Sequence, residues 1–165
     1  MREIVMQIDI KQLFENEGQI ISFVGEVDFS GLGVDGLSNA MVKGEVENRS
    51  GMISLRYGAG CCMTYLCDRC LKECTEHFDY KFEHMVAREL HNEDSEGFIL
   101  VPEGILDLGT LACEDVLLEL PSKYLCSPDC KGLCSICGKD LNEGDCGCVN
   151  DTTDPRLAVL KDLLK

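Results

Sequence analysis

No stretch of the 165-residue chain approaches 18 uncharged apolar residues, so no membrane-spanning helix is expected. Basic residues are scarce: 15 Lys and Arg stand against 30 Asp and Glu, for a formal charge of −15. Phosphates would be repelled by most of such a surface, which argues against nonspecific coating of nucleic acid. The first residues do not read as an export leader, because Glu3 and Asp9 interrupt what would be its apolar core, and a cytoplasmic location is expected. A Gly-rich phosphate loop, a nucleophile elbow and a helical metalloprotease motif are all missing. The three histidines, His77, His84 and His91, recur every seven residues, which puts strand neighbours on opposite faces, and they read as solvated. The acids clustered at 89–96 read as a solvated loop. With no catalytic constellation, a non-enzymatic protein is expected.

What the chain does have is cysteine. Twelve of its residues are Cys, and the 45% apolar fraction counts them as hydrophobes, so little apolar surplus remains without them. Where thiols stay reduced, such a count points to metal before disulfides. Neither charge nor cysteine is spread evenly. Residues 1–50 hold no cysteine, Cys61, Cys62, Cys67, Cys70 and Cys74 follow, and six more lie between Cys126 and Cys148. Residues 83–119 carry ten acids and one base, Arg88, whereas the two cysteine-rich regions are close to neutral.

Hydrophobic periodicity is β-rich first and helical later. Ile20–Val27 reads as a strand. Val42, Gly44 and Val46 alternate with Lys43, Glu45 and Glu47, residues 48–51 make a turn, and Ile53, Leu55 and Tyr57 resume the alternation. Gly58 and Gly60 suggest a bulge before Cys61–Leu66. Phe78, Tyr80 and Phe82 mark a further strand. A helix fits 108–120, with Asp107 as N-cap, Pro121 as stop, and a stripe of Leu108, Leu111, Ala112, Val116 and Leu120 that Leu117 and Leu118 widen. Asp154-Pro155 starts a short terminal helix. The expected fold is α+β: an antiparallel β-meander or partly closed barrel packed by the helix near 108–120. The expected organisation is a core domain at 1–125, a cysteine-rich zinc-binding segment at 126–150, and a C-terminal helix at 151–165 packed on the core.

Two cysteine groups carry chemistry. Cys134-x2-Cys137 with Gly138 behind it, closed by Cys146-x-Cys148, is a self-contained four-cysteine zinc pattern; its segment has too few other apolar residues to be a core. Cys126-x3-Cys130 and Cys67-x2-Cys70 each lack two ligands. Uniting them gives a second site, and the alternative is free thiols or a redox pair. A thioredoxin role does not fit, since no βα unit follows Cys70 to acidify a thiol. Cys130-x3-Cys134-x2-Cys137 has the spacing of radical enzymes that hold a 4Fe–4S cluster, but those need a long α/β barrel with the motif near its start, and an Fe–S cluster is kept as a minor alternative. Cys61, Cys62, Cys74 and Cys113 read as buried residues.

The segments Cys67-Asp68-Arg69-Cys70-Leu71, Asp107-Leu108, 114–121 (Glu-Asp-Val-Leu-Leu-Glu-Leu-Pro), 130–142 and 154–163 together resemble the YceD family, bacterial and plastid proteins named for large ribosomal RNA subunit accumulation. The resemblance runs from about residue 40 to 165 in the same order. It implies a role in accumulation or maturation of large-subunit ribosomal RNA. Family members without the distal cluster keep a Cys-x2-Cys pair and a further ligand pair just after Leu-Pro, which implies the set Cys67, Cys70, Cys126 and Cys130 here. The chain resembles the cysteine-rich branch typical of Gram-positive bacteria, with two Zn²⁺ per chain.

An acidic protein serves RNA in one of two ways. Arg69, Lys72, Lys81 and Lys131 offer a small basic patch for direct RNA binding or processing. Alternatively, the acidic surface holds a basic ribosomal protein or ribosome assembly factor, and the protein acts as an adaptor or chaperone. The charge favours the second.

Overall fold

The computed structural model describes residues 6–29, 32–89 and 97–148. Residues 90–96 of the expected acidic loop at 89–96, with His91, and the terminal helix at 151–165 lie outside the described residues. The chain divides into two compact units, Met1–Tyr65 with Glu73–Ser122, and Leu66–Lys72 with Lys123–Lys165. This division differs from a boundary at 125, because the segment holding Cys67 and Cys70 groups with the C-terminal cysteines.

The first unit is mostly strand. In chain order it holds β1 (Gln7–Asp9), α1 (Lys11–Glu15), β2 (Ile20–Val27), β3 (Ala40–Arg49), β4 (Met52–Leu66), β5 (Glu73–Ala87), β6 (Phe98–Leu100), β7 (Ile105–Asp107) and α2 (Leu108–Glu119). β2 to β6 form one five-stranded sheet in sequential order, and β1 pairs antiparallel with β7 in a second small sheet. Among the described residues the large sheet has β2 and β6 at its edges and forms no closed barrel. Nor is it a pure antiparallel meander: β6 runs parallel to β5, pairing Met85 with Phe98 and Ala87 with Leu100.

Alternation explains the strands. Ile53, Leu55, Tyr57, Ala59, Cys61 and Met63 of β4 are all buried, with exposed or half-buried residues between them. With Phe29, Ile10, Leu13, Val42, Val46, Leu106 and Leu108 they make the core. The β3–β4 turn closes through Ser50 and Gly51, both at positive φ (54° and 84°), the geometry a two-residue hairpin turn requires. Asn48 braces it from within: it is 3% exposed, its Oδ1 accepts from the Gly51 N–H at 3.0 Å, and its Nδ2 donates to the Leu13 carbonyl. The expected bulge at Gly58 and Gly60 is absent, since the β3–β4 register runs unbroken from Arg49↔Met52 to Met41↔Gly60. Packing requires glycine at position 44, because a Cβ there would lie 2.5 Å from that of Tyr57 on the paired strand.

Helix α2 begins as expected. Asp107 accepts the Thr110 N–H at 3.1 Å and the Thr110 hydroxyl at 3.0 Å, and the helix ends two residues before Pro121. Its buried face is Leu108, Gly109, Ala112, Cys113 and Val116. Leu117 and Leu118 do not widen that face. They point outward, Leu118 at 85% exposure, because a stripe three residues wide already fills the helix's contact with the sheet.

The second unit has little regular structure among its described residues, chiefly turns and one isolated bridge, Leu133↔Asp140. Its buried centre is Cys67, Cys70 and Cys130, with Leu125, Cys126 and Leu133 packed against them.

Candidate metal centres

Both candidate centres lie inside the second unit. The ligand atoms of Cys67, Cys70, Cys126 and Cys130 all fall within 4.8 Å of one another, and so do those of Cys134, Cys137, Cys146 and Cys148. Cys67 Sγ lies 3.8 Å from Cys130 Sγ, and Cys70 Sγ 3.6 Å from Cys126 Sγ. Four sulfurs at about 2.3 Å from a tetrahedral zinc would stand about 3.8 Å apart, so the thiols fit one such ion without rearrangement. Every sequence-predicted ligand is therefore brought to one of two clusters, in the expected partition. The Cys130-Cys134-Cys137 triplet is split between them, which removes the basis for the radical-enzyme spacing.

The two clusters start from the same turn. In Cys67–Cys70 the Leu71 N–H donates to the Cys67 carbonyl at 2.9 Å, and in Cys134–Cys137 the Gly138 N–H donates to the Cys134 carbonyl at 2.9 Å. Each turn exits through a left-handed residue, Leu71 at φ 60° and Gly138 at φ 72°. The turn aims backbone N–H groups at its first thiol. The Cys126 N–H, with those of Cys70 and Arg69, holds the Cys67 thiol down to about 6. The Cys137 and Ile136 N–H groups likewise bring Cys134 down to about 6. The last thiols to ionise are pushed up to about 12: Cys126 by hydrogen bonding with Cys130 and Cys70, and Cys148 by hydrogen bonding with Cys137 and Cys146. Each cluster thus stabilises a first thiolate and resists the fourth, a conflict that a dication resolves.

A left-handed conformation is uncommon and strained for leucine, and Leu71 is 62% exposed. Leu71→Gly should therefore raise the stability of the metal-loaded protein by about 0.5–1 kcal/mol, read as an upward shift in thermal midpoint. A lowered midpoint would mean that the side chain makes a contact outweighing the strain.

Long-range bonds tie the first turn to the C-terminal segment. Asp68 and Tyr124 exchange two bonds at 2.8 Å, Asp68 N–H to the Tyr124 carbonyl and Tyr124 N–H to Asp68 Oδ2. Arg69 donates from Nη1 to the Cys130 carbonyl at 2.7 Å, and its own carbonyl accepts from Leu133. Arg69 thus organises the site, and Lys81 of the expected basic patch belongs to the first unit. Asn142 is a site residue that the cysteine spacing did not single out. Its Oδ1 accepts the Lys131 N–H at 2.8 Å, and its Nδ2 donates to Cys130 Sγ at 3.4 Å. Burial raises the Cys130 thiol, yet the Asn142 amide and the Gly132 N–H bring it net below its ordinary value. Asn142→Ala should weaken metal retention at the first cluster about tenfold, measured by competition with a chromogenic chelator, and leave the second cluster unchanged.

The remaining thiols and histidines differ from expectation in part. Cys61 and Cys113 are buried as expected, and burial pushes the Cys113 thiol up to about 11. Cys62 and Cys74 are only half-buried. Neither described histidine is simply solvated. His77 Nδ1 lies 2.9 Å from Cys62 Sγ, and His84 Nε2 lies 2.6 Å from Asp115 Oδ2, which also accepts the Tyr57 hydroxyl. No helix among the described residues is long and apolar enough to cross a membrane.

Residues 56–164 match the family model described as "Large ribosomal RNA subunit accumulation protein YceD". The chain is also similar to an uncharacterized protein of Mycobacterium leprae, 31% identical over 104 residues, covering 59% of this chain and 46% of that protein. Uncharacterized proteins of Mycobacterium bovis and Mycobacterium tuberculosis are 34% identical over 106 residues, covering 59% of this chain and 49% of each. The chain spans about half the length of these curated relatives. No solved structure matches it.

Proposed function

The chain belongs to the YceD family, whose name points to accumulation of large-subunit ribosomal RNA, and from that premise we propose a non-enzymatic, cytoplasmic zinc protein that acts as an adaptor or chaperone for a basic ribosomal protein or assembly factor. The observation that carries this reading is the partition of charge between the units. The described residues of the first unit hold 18 acids against 6 bases, whereas those of the second hold 5 of each. A four-thiolate zinc site adds a net charge of about −2, so metal would make the second unit acidic too. Such surfaces attract a basic partner and speed its encounter.

Zinc is supported over an Fe–S cluster by the span of the thiols. Cluster cysteines bind different irons and stand apart, while eight thiols in two groups confined within 4.8 Å suit single ions. Zinc would supply no redox chemistry here, only a cross-link and the neutralisation of four thiolates. Direct RNA contact has one observation in its favour: Lys43, Arg56 and Lys81 line a trough on the open face of the sheet. Acids share that trough, however, and Arg56 is already bonded to Glu83 at 2.8 Å.

As isolated, the protein should contain about two zinc ions per chain. Brown colour with stoichiometric iron overturns the zinc reading. Bait protein at low salt should recover basic ribosomal proteins and release them at moderate salt. Recovery of bare RNA without those proteins would sink the adaptor reading.

A further inference from the structure

A second kind of thiol chemistry lies on the sheet of the first unit. β4 alternates sharply at this point: Cys61 and Met63 are buried, while Cys62 between them is half-exposed and faces the exposed His77 of β5. Cys62 Sγ stands 2.9 Å from His77 Nδ1 and 3.6 Å from Nε2. The backbone that carries the thiol is held on its other side by residues 36–38. Ser38 Oγ accepts the Cys62 N–H at 2.8 Å, the Cys62 carbonyl accepts the Ser38 N–H at 2.8 Å, and the Gly36 carbonyl accepts the Thr64 N–H at 2.9 Å. The pair therefore sits on a braced strand and not on a loop. Along the same face the neighbours Thr64 and Thr75 are uncharged and bonded to each other at 3.0 Å. On the opposite side, the Asp79 carboxylate occupies the space above Gly60, 3.0 Å from where a Cβ would stand.

We propose that Cys62 and His77 form a nucleophilic thiol–imidazole pair, a surface modification site that reacts with peroxides and then with a low-molecular-weight thiol. The imidazole takes the thiol proton and leaves a thiolate beside an imidazolium. The thiolate sulfur attacks one peroxide oxygen, forming an S–O bond as the O–O bond breaks. Sulfur loses two electrons to the peroxide, and the departing oxygen leaves as water or alcohol with the imidazolium proton. The resulting sulfenic acid is then attacked by the small thiol: an S–S bond forms, and the hydroxyl departs as water with the thiol's proton. Of the other cysteines, eight lie in the two clusters and Cys61 and Cys113 are buried, which leaves Cys74 as the internal comparison.

The test uses the full-length, metal-loaded protein. Alkylation by iodoacetamide is followed residue by residue with peptide mass mapping, from pH 6 to 10, in the native chain and in His77→Gln. Cys62 should be labelled about tenfold faster than Cys74 at pH 7, and His77→Gln should cut that rate about tenfold at pH 7 but little at pH 10, where any exposed thiol is ionised. An equal rate for Cys62 and Cys74, or a His77→Gln profile that overlays the native one, overturns the pair. Peroxide treatment with dimedone should trap a sulfenic acid at Cys62, and peroxide with glutathione a mixed disulfide there, both with metal retained. Metal release with Cys62 unmodified overturns the proposal, because the clusters and not the pair would then be the reactive thiols. Cys62→Ser, at a half-exposed position, should abolish both adducts; adducts that persist in it also overturn the assignment.

Discussion

Stripping the metal with a chelator is expected to melt the second unit while the five-stranded sheet of the first stays folded. The reason is what the second unit buries. Among the described residues its interior is Cys67, Cys70 and Cys130, with Leu125 and Leu133 as hydrocarbon neighbours. Two part-buried leucines contribute about 3 kcal/mol at most, well below the ordering entropy of a segment this long. A structural zinc site contributes about 10–16 kcal/mol, and there are two candidates. Without metal, each cluster would also crowd four thiols that oppose one another's ionisation. Cys67→Ser/Cys70→Ser should therefore lose one metal ion of two and Cys134→Ser/Cys137→Ser the other, measured by elemental analysis. Loss of both ions, or of neither, in the first variant would show that the partition is wrong. Acid should act in the same direction. The Cys67 and Cys134 thiols are held near 6, below their ordinary value, so their contribution is complete at alkaline pH and is lost as pH falls through about 6. Metal retention should likewise fall on acidification, as protons compete for the ligands.

In the first unit the largest effect is expected from Asp115→Ala, which should destabilise the sheet by about 2–4 kcal/mol in denaturant unfolding and leave the metal content unchanged. Asp115 lies on α2 with its side chain 12% exposed, and one carboxylate oxygen serves both the Tyr57 hydroxyl of β4 and His84 of β5. Burial, and then the Asp115 carboxylate, push the Tyr57 hydroxyl well above its ordinary range, so it stays a donor at any working pH. Removing the acceptor leaves the hydroxyl and the imidazole N–H without a partner, against an aromatic wall of Tyr57 and Phe82 whose centroids are 5.1 Å apart. Tyr57→Phe in the Asp115→Ala background removes one orphan and should recover part of the loss. A cost below about 0.5 kcal/mol for Asp115→Ala would mean that water replaces the carboxylate freely.

Local chemistry was legible in the residues themselves. Alternation placed β2, the start of β3, the run of β4 and the middle of β5, because a sheet with one buried face imposes a period of two. Asp107 and Pro121 bracketed α2 because capping and the missing proline N–H act within one turn. The cluster of Cys134, Cys137, Cys146 and Cys148 could be read because its ligands are close in the chain and their spacing alone lets them converge.

Tertiary structure decided everything that joins distant segments. Cys67 meets Cys130 across 63 residues, and Asn142 reaches the thiol of Cys130 from the neighbouring loop. His84 finds Asp115 on a helix 31 positions away, and His77 finds Cys62 across a strand pair. The parallel pairing of β6 and the outward turn of Leu118 belong here too, since both depend on which surfaces were already covered. A scarcity of basic residues and a wealth of cysteine told what kind of chemistry to look for. The resemblance implied that Cys67 and Cys70 join Cys126 and Cys130, but only the path of the chain brings those four thiols within reach of one ion and turns Cys62 toward a histidine, because proximity between distant residues is set by packing and not by spacing.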